Sequence, residues 1–438
     1  MRAPTYSDSP WRAPVASSPL SATVALPGSK SLTNRELVLS ALASGPSVIQ
    51  RPLTARDTDL MVQALAALGT GIERTATGDL LVTPGPLRGD VTIDCGLAGT
   101  LMRFLPPVAA LADGPVRFDG DERARARPMA TTIGALRDLG VRVEDEGRGT
   151  LPFTVFGAGG VEGGTVRLDA SRSSQFVSGL LLTGARFARG LDLRHSGERL
   201  PSLPHIEMTI DVLAGRGVTV RADVRPPDAA WSADPQQIAG RTVTIEPDLS
   251  NAAPFLAAAL VAGGMVTVTG WPQRTTQVGD RLREWLPAFG GRVSLDGDAL
   301  TVDGGEGVRR APLRAVELDL SEGGELAPTL VGLAAFAEGP STFTGIGHLR
   351  GHETDRLAAL VTELTAVGAG AEETPDGIVV RPGRLAAGSR PWHVYGDHRM
   401  ATTAALLGLA VEGLTVDDVA ATAKTLPEFP GLWARMLT

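Results

Sequence analysis

Apolar stretches recur along this chain, each entered through a polar, Gly- or Ser-rich turn and each closed by a glycine. The first enters at Pro27-Gly28-Ser29-Lys30-Ser31-Leu32-Thr33-Asn34-Arg35 and ends at Gly45. The form returns at Cys95-Gly96-Leu97-Ala98-Gly99-Thr100 to Gly114, and at Ser171-Arg172-Ser173-Ser174-Gln175 to Gly190. It returns again at Asp248-Leu249-Ser250-Asn251 to Gly263, Ser321-Glu322-Gly323-Gly324-Glu325 to Gly339, and Gly396-Asp397-His398-Arg399 to Gly413. The period is roughly 75 residues, the mark of an internally repeated architecture. Between these stretches lie amphipathic ones ending at Leu68-Gly69, Leu139-Gly140-Val141, Arg216-Gly217-Val218, Phe289-Gly290 and Val367-Gly368. Alternating segments follow, such as Val218-Thr219-Val220-Arg221-Ala222. A 3.6-residue period predicts helices and strict alternation predicts strands. Each of six units therefore reads as strand, apolar helix, strand, amphipathic helix, then strands. The almost wholly apolar helices, around 252–261 and 330–337, are expected to be buried on all sides. The amphipathic ones are expected to cover sheets wrapped around that helical interior, with the buried helices sharing one direction.

A chain of 438 residues exceeds one ordinary core, and six units divide into three and three. Residues 223–241, with Pro226, Pro227, Asp228, Pro235, Gln236 and Gln237, read as a loop by composition, and Thr242-Val243-Thr244-Ile245 as the strand after it. One crossing between domains is therefore expected near Glu246-Pro247, and the other just before Gly28, after Thr23-Val24-Ala25-Leu26. The domains become 28–245 and 15–27 plus 246–438. Residues 1–14 lack the apolar centre of a signal peptide and read as a flexible leader. Hydrophobic content of 43% with 4% aromatics suits close-packed helices and strands. A net charge of −8 argues against nucleic acid or anionic membrane as partner, so an anion site must be a local basic pocket. No apolar run reaches the ~18 residues of a membrane span. The single cysteine, Cys95, excludes an intrachain disulfide and a Cys-rich metal site, and reads as a small apolar filler. A cytoplasmic monomer is expected.

The basic residues sort by place in the repeat. Lys30, Arg35, Arg103 and Arg399 sit at entrances of apolar helices, and Arg127, Arg356 and Lys424 at entrances of the second type. A cation at a helix N-terminus opposes the macrodipole by ~0.3–1 kcal/mol. Solvated first-turn charges are the plain alternative, but repetition in matching places points to anionic ligands that offset this cost. Acids in the same positions are Glu325, Glu353, Asp355 and Asp397. Glu353 near cations can serve as a base or can pair with Arg356 three residues on, and Glu325 can serve as a base or cap its helix. Ser173, Ser174 and Gln175 offer neutral donors to a phosphate or carboxylate, or caps. His348 and His352 have the spacing of a metal pair, but Gly351 interrupts the helix and no third ligand is evident, so no metal is expected.

Together these residues resemble one family. Gly28-Ser29-Lys30-Ser31 through Asn34-Arg35, Ala98-Gly99-Thr100 with Arg103, Arg127-Pro128 and Ser173-Ser174-Gln175 are similar to motifs of the 5-enolpyruvylshikimate-3-phosphate (EPSP) synthases. So are Glu353-Thr354-Asp355-Arg356, Asp397-His398-Arg399-Met400 and Ala423-Lys424-Thr425, collinear from about residue 20 onward. The resemblance implies an α/β fold, a two-domain inside-out α/β barrel of six βαβαββ repeats, three per domain. It implies transfer of the enolpyruvyl group of phosphoenolpyruvate to the 5-hydroxyl of shikimate 3-phosphate, with no cofactor. Lys30, Ser31, Arg35, Ser173, Ser174, Gln175, Ser202, Glu325 and His352 would hold shikimate 3-phosphate. Lys30, Gly99, Arg103, Arg127, Gln175, Arg356, Arg399 and Lys424 would hold phosphoenolpyruvate. Glu325 would be the base for the 5-hydroxyl, and Glu353 with Lys30 would protonate the methylene carbon. Closure of the two domains would exclude water. Glu325 stands where the family often has Asp, His348 and His352 where it has Asn and Lys, and His205 where it can have Tyr, which leaves their contacts open. The sister enolpyruvyl transferase acting on UDP-N-acetylglucosamine differs in carrying Lys-Asn where this chain has Lys30-Ser31, and a Cys at the place of Glu122. A binding protein that kept the site without chemistry is the non-enzymatic alternative.

Overall fold

The computed structural model describes residues 10–225 and 228–438. The chain forms two compact units, Pro27–Glu246 (here the first unit) and residues up to Leu26 with Pro247–Thr438 (the second). Each has its own hydrophobic core.

Five sheets among the described residues have four strands, and they repeat one topology. In the sheet from Val91–Asp94, Asp113–Asp119, Arg142–Glu144 and Phe153–Ala158, the first two strands are parallel and the rest antiparallel, with the last strand lying beside the second. The parallel pair is joined by a buried helix, here Gly99–Ala109, and the second strand leads to an outer helix, Ala130–Asp138. A strand feeds into the buried helix of each of these five repeats, so their polar entrance turns sit at a strand's C-terminal end, where open α/β folds place ligands.

The chain passes between units after two strands. Leu20–Ala25 leads into the first unit's first helix but pairs in parallel with Gly264–Thr269 of the second. Thr242–Thr244 leads the other way and pairs with Ser47–Gln50. The sixth repeat departs from the expected pattern, with only the two-residue strand Thr415–Val416. Trp392 bridges to it in parallel and Trp11–Arg12 pairs antiparallel, in the places of first and fourth strands. The expected leader is corrected here. Residues 1–9 lie outside the described residues, but Ala13 is 1% exposed and donates its N–H to Leu414 O, because the short sheet needs an outer strand.

The loop expected over 223–241 holds for 234–241 but is corrected ahead of that, with 226–227 outside the described residues. Arg221–Arg225 and Asp228–Ala233 form antiparallel strands, the second pairing with Leu191–His195. Ala229, Trp231 and Ala233 are buried at alternate positions, and burying a Trp stabilises by several kcal/mol, enough to override a Pro- and Asp-rich composition.

Three helices fill each unit. In the first these are Lys30–Ala41, Gly99–Ala109 and Gln175–Gly184, and in the second Leu249–Ala262, Ala327–Ala334 and His398–Gly408. They are buried along nearly their whole length, as apolar composition requires in most of them, whereas Lys30–Ala41 is buried with its polar Asn34, Arg35 and Glu36. Close approach is written into the sequence at Gly179, where a Cβ would stand 2.2 Å from Arg103 O. The first turns meet within each unit. Asn34 donates to Thr100 Oγ1 at 2.7 Å, Arg103 lies over Phe176, and Arg399 donates to Ser250 O at 2.7 Å.

Candidate active site

In the first unit, Ser29 caps the helix Lys30–Ala41, accepting from Leu32 N, while its own N–H is held by Glu246 O at 2.8 Å. Lys30 at the first helical position reaches to 3.6 Å of the fully buried carboxylate of Asp57, in the first turn of Arg56–Ala67. Asp57 is a member of this cluster that the sequence did not single out. An acid in a helix's first turn is the default complement to the macrodipole, so nothing local marks it. Ser31 follows Lys30, and its carbonyl accepts from Arg35. Arg35 is buried and ties three helices together. It donates to Thr209 Oγ1 at 2.8 Å, His205 O at 2.9 Å and Ser178 Oγ at 3.4 Å, and lies over the Phe104 ring.

Gly99, Arg103 and Arg127 come together. Arg103 is buried and donates to Pro128 O at 3.3 Å. Arg127 is half-buried just ahead of Ala130–Asp138, donates to Leu97 O at 3.3 Å, and stands where a Cβ on Gly99 would come within 3.0 Å of both terminal nitrogens. Bare backbone at Gly99 makes the space this guanidinium occupies. Ser173 Oγ accepts from Gln175 N at 3.2 Å, and Ser174 lies buried at the cap of Gln175–Gly184. Ser202, in the left-handed conformation (φ 55), begins Leu203–Ala214, which also carries His205. Cys95 is buried, and burial first, then the carboxylate of Asp94, pushes its thiol well above the ordinary range, as an inert filler requires.

In the second unit the charged residues form one buried network. Arg356 opens Arg356–Ala366 and donates to Asp397 Oδ2 at 2.7 Å and Oδ1 at 3.2 Å. It also donates to Glu353 Oε2 at 2.9 Å and touches His352 Nδ1 at 3.1 Å. Glu353 accepts on its other oxygen from Lys424 Nζ, at the end of the 3-10 turn Val419–Lys424. The Glu353–Arg356 pair weighed from sequence is therefore present, within a larger set. Asp397 caps His398–Gly408 by accepting from Arg399 N. Burial works against the charge of Arg356, but Asp397 and Glu353 outweigh it and hold it above the ordinary arginine range. Arg399 lies deep too, and there burial wins over Asp248 and sets it below that range.

Glu325 lies in the 3-10 turn Gly324–Leu326 leading into Ala327–Ala334. His348 and His352 come from one loop with ring centroids 5.6 Å apart. Burial lowers the His348 pKa against the pull of Glu325, and its Nε2 is sealed from solvent. Among the described residues no group of three or more His, Cys, Asp or Glu could hold a metal ion. No helix among them is long and apolar enough to cross a membrane.

Residues 15–433 match the model of the family described as EPSP synthase (3-phosphoshikimate 1-carboxyvinyltransferase). The chain is 54% identical to a 3-phosphoshikimate 1-carboxyvinyltransferase of Kocuria rhizophila, covering 98% of this chain and 97% of that one. A solved structure of EPSP synthase from Acinetobacter baumannii superposes with a TM-score of 0.77 at 22% identity, over 98% of this chain and 97% of that one. The enolpyruvyl transferase NikO from Streptomyces tendae superposes with a TM-score of 0.72 at 20% identity, over 96% of each chain. At those identities the two structures speak to the fold.

Proposed function

We infer that this chain, which belongs to the EPSP synthase (3-phosphoshikimate 1-carboxyvinyltransferase) family, transfers the enolpyruvyl group of phosphoenolpyruvate to the 5-hydroxyl of shikimate 3-phosphate, releasing phosphate. In the geometry, the observation that carries this reading is Glu353 hydrogen-bonded at one oxygen to Lys424 and at the other to Arg356. A carboxylate beside two cations favours its ionised form and can act as a base, here among groups that attract anions.

The chemistry assigns roles. Glu325 takes the proton of the 5-hydroxyl as that oxygen attacks C2 of phosphoenolpyruvate. Glu353, with Lys30, delivers a proton to the methylene carbon, so that C2 becomes tetrahedral. Glu353 takes back a proton from the new methyl group while phosphate leaves C2, carrying off the proton that Glu325 accepted, and the double bond is restored in the product. Arg127, Arg356, Arg399 and Lys424 neutralise the carboxylate and the departing phosphate, whose charge grows as the C–O bond breaks. Lys30, Gly99, Arg103 and Gln175 complete the phosphoenolpyruvate set. Lys30, Ser31, Arg35, Ser173, Ser174, Gln175, Ser202, Glu325 and His352 bind shikimate 3-phosphate. The ligands call for no cofactor, and the protein works as a cytoplasmic monomer.

The test is phosphate release from the two substrates together. Release that requires both, with the enolpyruvyl ether as coproduct, is expected. Tight binding of both without turnover would reduce the chain to a binding protein.

A further inference from the structure

The entrance turn bearing Ser173 and Ser174 is held by a side chain that the reaction does not use. His195 ends the strand Leu191–His195, which pairs in parallel with Gly164–Leu168, so that Leu168 and His195 stand side by side. From these two ends spring the loop 169–174, carrying Ser173 and Ser174, and the loop 196–202, carrying Ser202. His195 is 6% exposed, and its Nδ1 accepts the buried N–H of Ala170 at 3.2 Å. The Ala170 carbonyl in turn accepts from Ser173 N at 3.0 Å. One residue, Ala170, thus links the imidazole to the serine turn. The second loop closes over the same ring. A Cβ on Gly197 would stand 2.7 Å from His195 Cε1 and 2.1 Å from both Asp169 Oδ1 and Ser171 Oγ. Asp169 accepts from Ser171 N at 2.8 Å, so the loop is braced on both sides of Ala170.

With Nδ1 accepting, the ring's proton sits on Nε2, which is buried without a hydrogen-bond partner. Such a group is costly to bury. A leucine would fill the space without that cost but would orphan the Ala170 N–H instead.

We propose that His195 is a positioning residue for shikimate 3-phosphate: its Nδ1 fixes the Ala170 N–H and so aims the serine hydroxyls of the 169–174 loop at that substrate. This rests on the assignment of Ser173 and Ser174 to that ligand. The acceptor must lie at the Nδ1 position. His195→Asn places its carboxamide oxygen there, whereas His195→Gln carries its oxygen out toward the position of Nε2.

The experiment measures the dissociation constant of shikimate 3-phosphate by calorimetry, together with kcat and both KM values, for His195→Asn, His195→Gln, His195→Leu and Ser173→Ala. His195→Leu and His195→Gln are expected to weaken shikimate 3-phosphate about five- to tenfold, the worth of one buried hydrogen bond. Their kcat and phosphoenolpyruvate KM should stay within about twofold, and His195→Asn should bind like the parent. Equal weakening by all three His195 variants, or none, would overturn the proposal provided Ser173→Ala itself weakens binding. If Ser173→Ala binds normally, the ligand assignment falls first, and the proposal with it. Circular dichroism and melting of each variant identify any that fail to fold; should Leu and Gln both do so, normal phosphate-ligand affinity in Gly197→Ala, which crowds the same ring, would overturn it.

Discussion

Gly99→Ala separates function from stability. Gly99 is the first residue of the helix Gly99–Ala109 and follows Ala98 as cap. Ala is the better helix former by ~0.8–1 kcal/mol in a helix interior and by less at a first position, so the backbone resists little. The three atoms nearest the added Cβ all belong to Arg127, with Nη1 and Nη2 at 3.0 Å. These are the far end of a flexible side chain, which can withdraw by a few tenths of an ångström with the loss of its bond to Leu97 O. The melting temperature should therefore be unchanged or slightly raised. If Arg127 binds phosphoenolpyruvate as proposed, its displaced guanidinium meets that ligand less well, and one hydrogen bond to a charged group is worth ~1.5–3 kcal/mol. That converts to a rise in phosphoenolpyruvate KM of about 10- to 150-fold. The assay is phosphate release with phosphoenolpyruvate varied at saturating shikimate 3-phosphate, alongside thermal unfolding and direct binding of shikimate 3-phosphate. An unchanged phosphoenolpyruvate KM would refute the reasoning. So would a parallel loss of affinity for both substrates with a lowered melting temperature, since that is a collapsed helix start.

Glu353→Gln keeps the shape but loses the proton carrier, and kcat should fall by about 10²- to 10⁴-fold with phosphoenolpyruvate KM changed only a few-fold; equal losses in both would remove its role. Asp397→Ala strips Arg356 of a buried partner and Arg399 N of its cap, and chemical denaturation of the second unit should register about 3–5 kcal/mol. Asp397→Asn, which can still cap and accept from Arg356, should lose distinctly less, and identical losses would mean that the charge pair alone, not the cap and hydrogen bonds that Asn keeps, holds Arg356. His348 is depressed by burial, so it binds fewer protons folded than unfolded. Its share of stability is whole above the ordinary histidine pKa of about 6.5 and is lost as pH falls below that toward its folded value. His348→Gln should flatten the parent's stability loss across that acid window, and superimposable stability–pH curves would contradict it.

The amino-acid sequence alone determined the features that local physics controls. Helix periods, glycine closures and polar entrances repeat because capping, turn geometry and amphipathicity act over a few residues, and they marked Lys30, Arg35, Arg103 and Arg399 as site candidates. Pairing across long separations was not legible. Arg356 finds Asp397 across 41 residues, and Lys424 finds Glu353 across 71. Asp57 looked like any first-turn acid until Lys30 came beside it, and His195 carried no signal until Ala170 supplied a donor. Composition misled at 223–241 and in the leader, where Trp231 and Ala13 are drawn into cores that no local pattern reveals. Only the tertiary structure decided which polar groups are sealed from water, and burial is what turns an ordinary charge or ring nitrogen into one that must have a partner.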